Sequence, residues 1–191
     1  MQSCPGRFRL AQLLLEKQTI MNTTSTFAQN SLADSLRNPV FSLIDHLVRT
    51  NTAIAPAVLR VTLAAVMFPH GAQKLLGWYG GYGFSGTMGF FTGDMGVPWL
   101  LALGTILIEF FAPLLLVLGL GTRLAALCLG VVMTTAMFMA HVSNGFFMNW
   151  SGAQKGEGIE YFLLIIGIAL AQVISGGGRW SADGAIRKAL S

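Results

Sequence analysis

Charge is what this chain has least of. Of its 191 residues, 10% are Asp, Glu, Lys or Arg, against 53% hydrophobic. A soluble domain carries roughly 25% charge. A chain this apolar has too little polar surface to wrap a core of its own, whereas a bilayer accepts apolar surface directly. Cysteine is almost absent. Cys4 sits in a polar stretch and Cys128 inside an apolar run, with no CxxC or metal-ligand spacing, so dithiol chemistry within the chain is excluded. No G-x-x-x-x-G-K-[ST] segment occurs, which removes phosphate cradling of that kind.

What is present is length of apolar run. Four segments, at about 55–76, 98–120, 122–142 and 159–174, approach the ~20 residues that span a hydrocarbon core, the last being shortest. Mean hydropathy is +0.63. The expected fold is all-α and integral to the membrane, a four-transmembrane-helix bundle with an N-terminal interfacial helix. Residues 1–38 are Ser/Thr/Asn-rich and weakly patterned, and are expected to be a disordered cytoplasmic segment. The run at 10–15 is too short to span and no A-x-A site follows it, so a cleaved signal is not expected; Met1 and Met21 both remain available as starts. Over 39–54, Phe41, Ile44, Leu47 and Val48 recur at helical spacing opposite Asp45 and Arg49, the pattern of a helix lying in the interface. The membrane domain is expected over 55–191. Between the first two spans, residues 77–97 carry Trp78, Tyr79, Tyr82, Phe84, Phe90 and Phe91, aromatics suited to the headgroup region. This loop is expected to dip back onto the bundle.

The net charge of +4 is gathered toward the chain ends. Arg37, Arg49, Arg123, Arg179, Arg187 and Lys188 fall on one side of the four spans, and Lys155 on the other. By the positive-inside rule both termini are expected in the cytoplasm. No nucleic-acid partner is implied.

Ionisable groups inside spans are costly and face a bundle interior or a cavity. Arg60, His70 and Lys74 lie in the first span, Glu109 in the second, His141 ends the third and Glu160 opens the fourth. On a helical wheel Arg60, Met67, His70, Gly71 and Lys74 share an arc of about 100°. Thr105, Glu109, Ala112 and Leu116 align in the second span; Arg123, Gly130, Thr134, Met137 and His141 in the third; Glu160, Gly167 and Ala171 in the fourth. Counted from the span ends, Arg60 is about 8 Å deep and Glu109 about 16 Å, within reach of an arginine side chain. Arg60 and Glu109 are therefore expected to pair. Their pairing has two readings of equal weight, a lock on helix register and a functional site. His70, Lys74, His141 and Glu160 share the outer half and are expected to line a ligand pocket. Pro113 frees the carbonyl of Glu109, and Pro69 that of Ala65. Two histidines on different helices are a weak metal signal, and no metal is expected. Asp183 reads as the cap of a short helix.

These residues form an ordered set: His70-Gly71-x-x-Lys74-Leu75; Gly96-Val97-Pro98; Glu109; Leu118-Gly119-Leu120-x-Thr122-Arg123; Gly158-x-Glu160-Tyr161; and Gly176-x-Gly178-x-x-Ser181-x-Asp183. The set resembles the DoxX family of small bacterial membrane proteins, from about Val58 to Ile186. The resemblance implies a four-helix protein of the bacterial inner membrane, described as an oxidoreductase and named for similarity to subunits of quinone-linked enzymes. It also implies links to oxidative or electrophile stress, and it singles out Gly71, Arg123 and Asp183 beside the ionisable residues above. No haem pattern, Rossmann fingerprint or cysteine pair is present. A redox role would thus need a diffusible quinone or a redox partner protein. The alternative is a non-catalytic membrane protein: a transporter, a small-molecule binder, or a scaffold for soluble redox enzymes. Homo-oligomerisation is compatible with either.

Overall fold

A computed structural model describes residues 47–190, with Lys17, Gln18 and Leu43 besides. The chain divides between Leu43 and Ile44 into two units, and the fold below is that of the second. The segment expected to be disordered, 1–38, falls almost wholly outside the described residues, as does most of the expected interfacial helix. Within the latter Leu43, Leu47 and Val48 are helical and residues 49–53 are not.

Every regular element is helical among the described residues. Helix α1 (Ile54–Leu76) ends where Gly77 takes φ 74° and donates its N–H back to the carbonyl of Ala72, a left-handed stop that glycine adopts without steric cost. A short helix α2 (Gly83–Gly89) follows, then a π turn Phe90–Asp94. Helix α3 (Trp99–Leu118) starts behind Pro98 and stops at Gly119, φ 67°. Helix α4 (Thr122–Ala136) starts three residues later and continues through a π turn, Met137–His141, and a 3-10 turn, Val142–Asn144. Helix α5 (Glu160–Ser175) and a short amphipathic helix α6 (Ala182–Leu190) complete the chain.

Three of these stretches, Ile54–Leu76, Trp99–Leu118 and Thr122–Asn144, are long and apolar enough to cross a membrane; α5, at 16 residues, is shorter. The helices form a ring in which α1 meets α3, α3 meets α4, α4 meets α5 and α5 closes on α1. Each buries one stripe against its neighbours: Leu63, Ala64 and Met67 from α1, Ala112 and Leu116 from α3, Ala126, Leu129 and Met133 from α4, Ile165 and Ala169 from α5. Small residues let the backbones close up where lipid gives no hydrophobic drive. The outward side chains, among them Val61, Leu107, Phe111, Leu127, Val131 and Leu164, are exposed and apolar, as a lipid-facing surface requires.

The stripes of α1 and α3 lie where the wheel placed them, except that His70 is exposed. In α4 the buried line runs Thr122, Ala125, Ala126, Leu129, Val132, Met133, one residue away from the expected Arg123–Gly130–Thr134 line. In α5 it runs Phe162, Ile165, Ala169, Gln172, and Gly167 is exposed. The expected lines were aimed by their polar members, but Arg123 and Glu160 sit at helix ends, where side chains reach out of the bundle toward loops.

The segment 77–97 does return to the bundle, as helix α2 packed on α1 and α3. Met88 joins Ala102 and Ile106 in a second small core. Trp78, Tyr79, Tyr82, Phe84 and Phe90 remain exposed around it. This end of the bundle, holding α2 and the 145–159 loop, is the loop end. The other, holding the 119–121 turn and the chain's last helix, is the tail end.

Candidate functional site

At the loop end, α1 and α3 approach at one glycine. A Cβ on Gly71 would overlap the carbonyl of Glu109 and stand 2.6 Å from Phe110 Cα. That carbonyl is the one Pro113 deprives of its helical N–H, so the bare edge of α1 covers it. The approach brings Lys74 Nζ onto Glu109 Oε2 as a salt bridge. Glu109 is 3% exposed in its side chain and Lys74 27%.

The expected pairing of Arg60 with Glu109 is not formed. Arg60 donates instead to the carbonyls of Val117 (3.3 Å) and Trp180 (3.4 Å) at the tail end. The reason is register and side-chain direction. Glu109 stands level with Gly71, eleven residues and about 16 Å from Arg60 along α1. Side chains on a helix lean toward its N-terminus. Lys74 therefore leans back one turn onto Glu109, while Arg60 leans away from it.

Two further groups border the pair. The His70 ring lies 6.0 Å from the Tyr161 ring, at 46°. The Tyr161 hydroxyl donates to Met67 Sδ at 3.6 Å, a weak acceptor. His70 is exposed, Lys74 and Tyr161 half-buried and Glu109 buried, so polarity runs inward from His70 to Glu109. Donors thus lie nearer the surface and the carboxylate behind them.

His141 and Glu160 serve a different structure. His141 Nδ1 lies 2.9 Å from the carbonyl of Glu157, and its ring packs 4.3 Å from that of Phe162. Glu160 Oε2 accepts the N–H of Met148, and Glu157 Oε2 that of Asn149. These groups fasten the 145–159 loop. Hydrogen bonds tie His141 and Glu160 to the 145–159 loop, and ring contacts run from His70 through Tyr161 and Phe162 to His141. The π turn ending at His141 adds a residue to its helical turn and so rotates that side chain off the straight-helix wheel. In the sequence Tyr161 stands out only as the neighbour of Glu160; its ring contact with His70 is a feature of the fold. Among the described residues no three His, Cys, Asp or Glu side chains gather as metal ligands would.

The tail end is a second polar assembly. Asp183, 1% exposed, accepts the N–H groups of Gly121 (2.7 Å) and Thr122 (2.9 Å). It therefore caps α4, satisfying donors at that helix's start. Its own helix is capped by Ser181, whose Oγ accepts the N–H of Gly184 at 3.2 Å. Arg123 donates to the carbonyls of Arg49 and Val173, and Gln172 donates to that of Pro56 at 2.7 Å. Trp180 holds φ 58°, a conformation uncommon for a bulky residue, between Arg179, which stacks on its ring, and Arg60, which donates to its carbonyl.

Part of the chain that builds this geometry matches known sequences. The DoxX family profile matches residues 55–142, which include Arg60, His70, Gly71, Lys74, Glu109 and Arg123. A protein of Haemophilus influenzae described only as uncharacterized is 37% identical over 128 residues, 66% of this chain and 87% of its own length. No solved structure matches. With its all-helical bundle, its membrane-length helices and this match, the chain belongs to the DoxX family.

Proposed function

We propose that the chain is a quinone-binding component of a membrane oxidoreductase, seated in a bacterial inner membrane with both termini in the cytoplasm. In this reading α5 completes four spans, and the Lys74–Glu109 site lies in the outer half of the bilayer. The observation that carries it is the ion pair itself: a carboxylate 3% exposed, held by a lysine one turn along its helix from an imidazole whose ring neighbours a phenol. Ionisable groups at such depth mark ligand or proton paths.

The donor set fits a quinone headgroup, which offers two carbonyl acceptors and needs protons on reduction. Lys74 has three N–H donors, one of which serves Glu109. The Tyr161 hydroxyl can exchange a thioether for a carbonyl, a stronger acceptor. His70 at the open side can donate a hydrogen bond and pass a proton. Glu109 holds the Lys74 ammonium in place. Bound quinone would supply the two-electron couple that the chain's own side chains lack, and a partner redox protein the electrons.

A second reading draws on the same pair: Lys74 and Glu109 satisfy each other and so can act as a register lock in a non-catalytic binder, transporter or scaffold. Titration of a short-chain ubiquinone analogue into the purified protein in nanodiscs separates the two. Quinone binding predicts saturation, with His70→Ala and Tyr161→Phe each weakening it about 10-fold, on the order of 1.4 kcal/mol. Absence of saturable binding by a folded wild-type protein would leave only the lock.

A further inference from the structure

The three buried side-chain atoms that lack a hydrogen-bond partner among the described residues are Arg60 Nε, Thr122 Oγ1 and Gln172 Oε1. They come from three helices, and each lies toward the tail end. Arg60 is 3% exposed, Thr122 and Gln172 0%. An unpaired polar atom at such burial is costly, and each one calls for an explanation.

Their positions follow from the glycines between them. A Cβ on Gly119 would strike the Arg60 guanidinium and come 2.6 Å from Ser181 Cβ. A Cβ on Gly177 would also stand 2.6 Å from Ser181 Cβ, and 2.8 Å from Thr122 Oγ1. Arg60 and Thr122 therefore flank Ser181. Gln172 is tied to Pro56, and a Cβ on Gly178 would stand 2.9 Å from Pro56 Cβ. The orientation of the Gln172 amide is fixed, because the Pro56 carbonyl can only accept; the NH2 faces it and Oε1 faces away.

We propose that Arg60, Thr122 and Gln172 hold internal water at the seam where the tail closes on α1, α4 and α5. The chemistry balances: Arg60 Nε can only donate, Gln172 Oε1 can only accept, and the Thr122 hydroxyl can do both. Water accepts the first, donates to the second and pairs with the third, making the two to four bonds of a buried water. The absence of Cβ atoms at Gly119 and Gly177 keeps carbon out of the seam. The water is then the remaining partner of a guanidinium whose two protein bonds are long, 3.3 and 3.4 Å, and it joins the tail to three helices at once.

Two measurements test this. An experimental map of the wild-type protein fine enough to show ordered water should place density within hydrogen-bond distance of at least two of the three atoms. Thr122→Val, which replaces the hydroxyl with a methyl of like shape, should lower the melting temperature by about 2–4 °C, because it strands a water. If the hydroxyl were simply unpaired, the same change would leave stability unchanged or raise it. Either that outcome, or a map in which the three atoms bond protein groups with no water between them, overturns the proposal.

Discussion

Lys74 bears two opposed costs, the desolvation of its ammonium and that of the carboxylate it faces. With Glu109 3% exposed and Lys74 27% exposed, they are unequal. Lys74 can swing toward solvent or headgroups if its partner is lost, whereas Glu109 cannot. Lys74→Met should therefore destabilise more than Glu109→Gln, within the roughly 3–5 kcal/mol that breaking a buried pair costs in soluble interiors. The double variant should melt above Lys74→Met alone. Thermal unfolding in one detergent reads all three, and additive losses in the double variant would show that the pair is not coupled. Residue identity was legible beforehand: Arg60, His70, Lys74 and Glu109 stood out as charges inside apolar runs. Partnership was not. It depended on the helix offset set by Gly71 and on the lean of side chains toward a helix N-terminus. Gln172, one amide in an apolar run, carried no local mark, and Asp183 read as the cap of a short helix, whereas it caps the helix that begins at Thr122.

At the level of elements, Gly71 holds α1 against α3. Gly71→Ala would push a methyl into the Glu109 backbone, and no side-chain rotamer can relieve a clash with backbone. We expect a loss of about 1–3 kcal/mol, with weaker ligand binding because Lys74 moves off Glu109. An alanine variant with wild-type melting and binding would mean the helices do not meet there. The tail is the other joint. Asp183→Ala removes the cap on α4, worth about 0.5–2 kcal/mol, and should expose the 176–181 segment to trypsin at Arg179; unchanged cleavage would refute the clasp. The spans were readable because apolar length marks them: 55–76 against Ile54–Leu76, and 98–120 against Trp99–Leu118. The π turns at Phe90–Asp94 and Met137–His141 were not, since an inserted residue leaves no mark in composition.

For the whole molecule, the positive charges sort by end. Arg49, Arg123 and Arg179 gather at the tail end, and Lys155 lies in the 145–159 loop. A reporter active only outside the cytoplasm should be silent when fused after Ser191 and active when inserted at Gly152; the reverse pattern would invert the orientation. Architecture draws on a bulk property of the chain, apolar length, so it can be read early; the orientation that the charge count implies is what the reporter tests. The site draws on contacts between α1, α3 and α5, so it waits on the fold. Its location is tested most directly by photolabelling with an azido-quinone in native membranes, followed by peptide mapping. The account predicts label on the stretch around His70 and Lys74 and on that around Tyr161, competed by unlabelled quinone and lost in His70→Ala. Competable label on the lipid-facing groove lined by Gly130, Thr134 and Leu170 instead, or none on a protein shown to be folded, would contradict it.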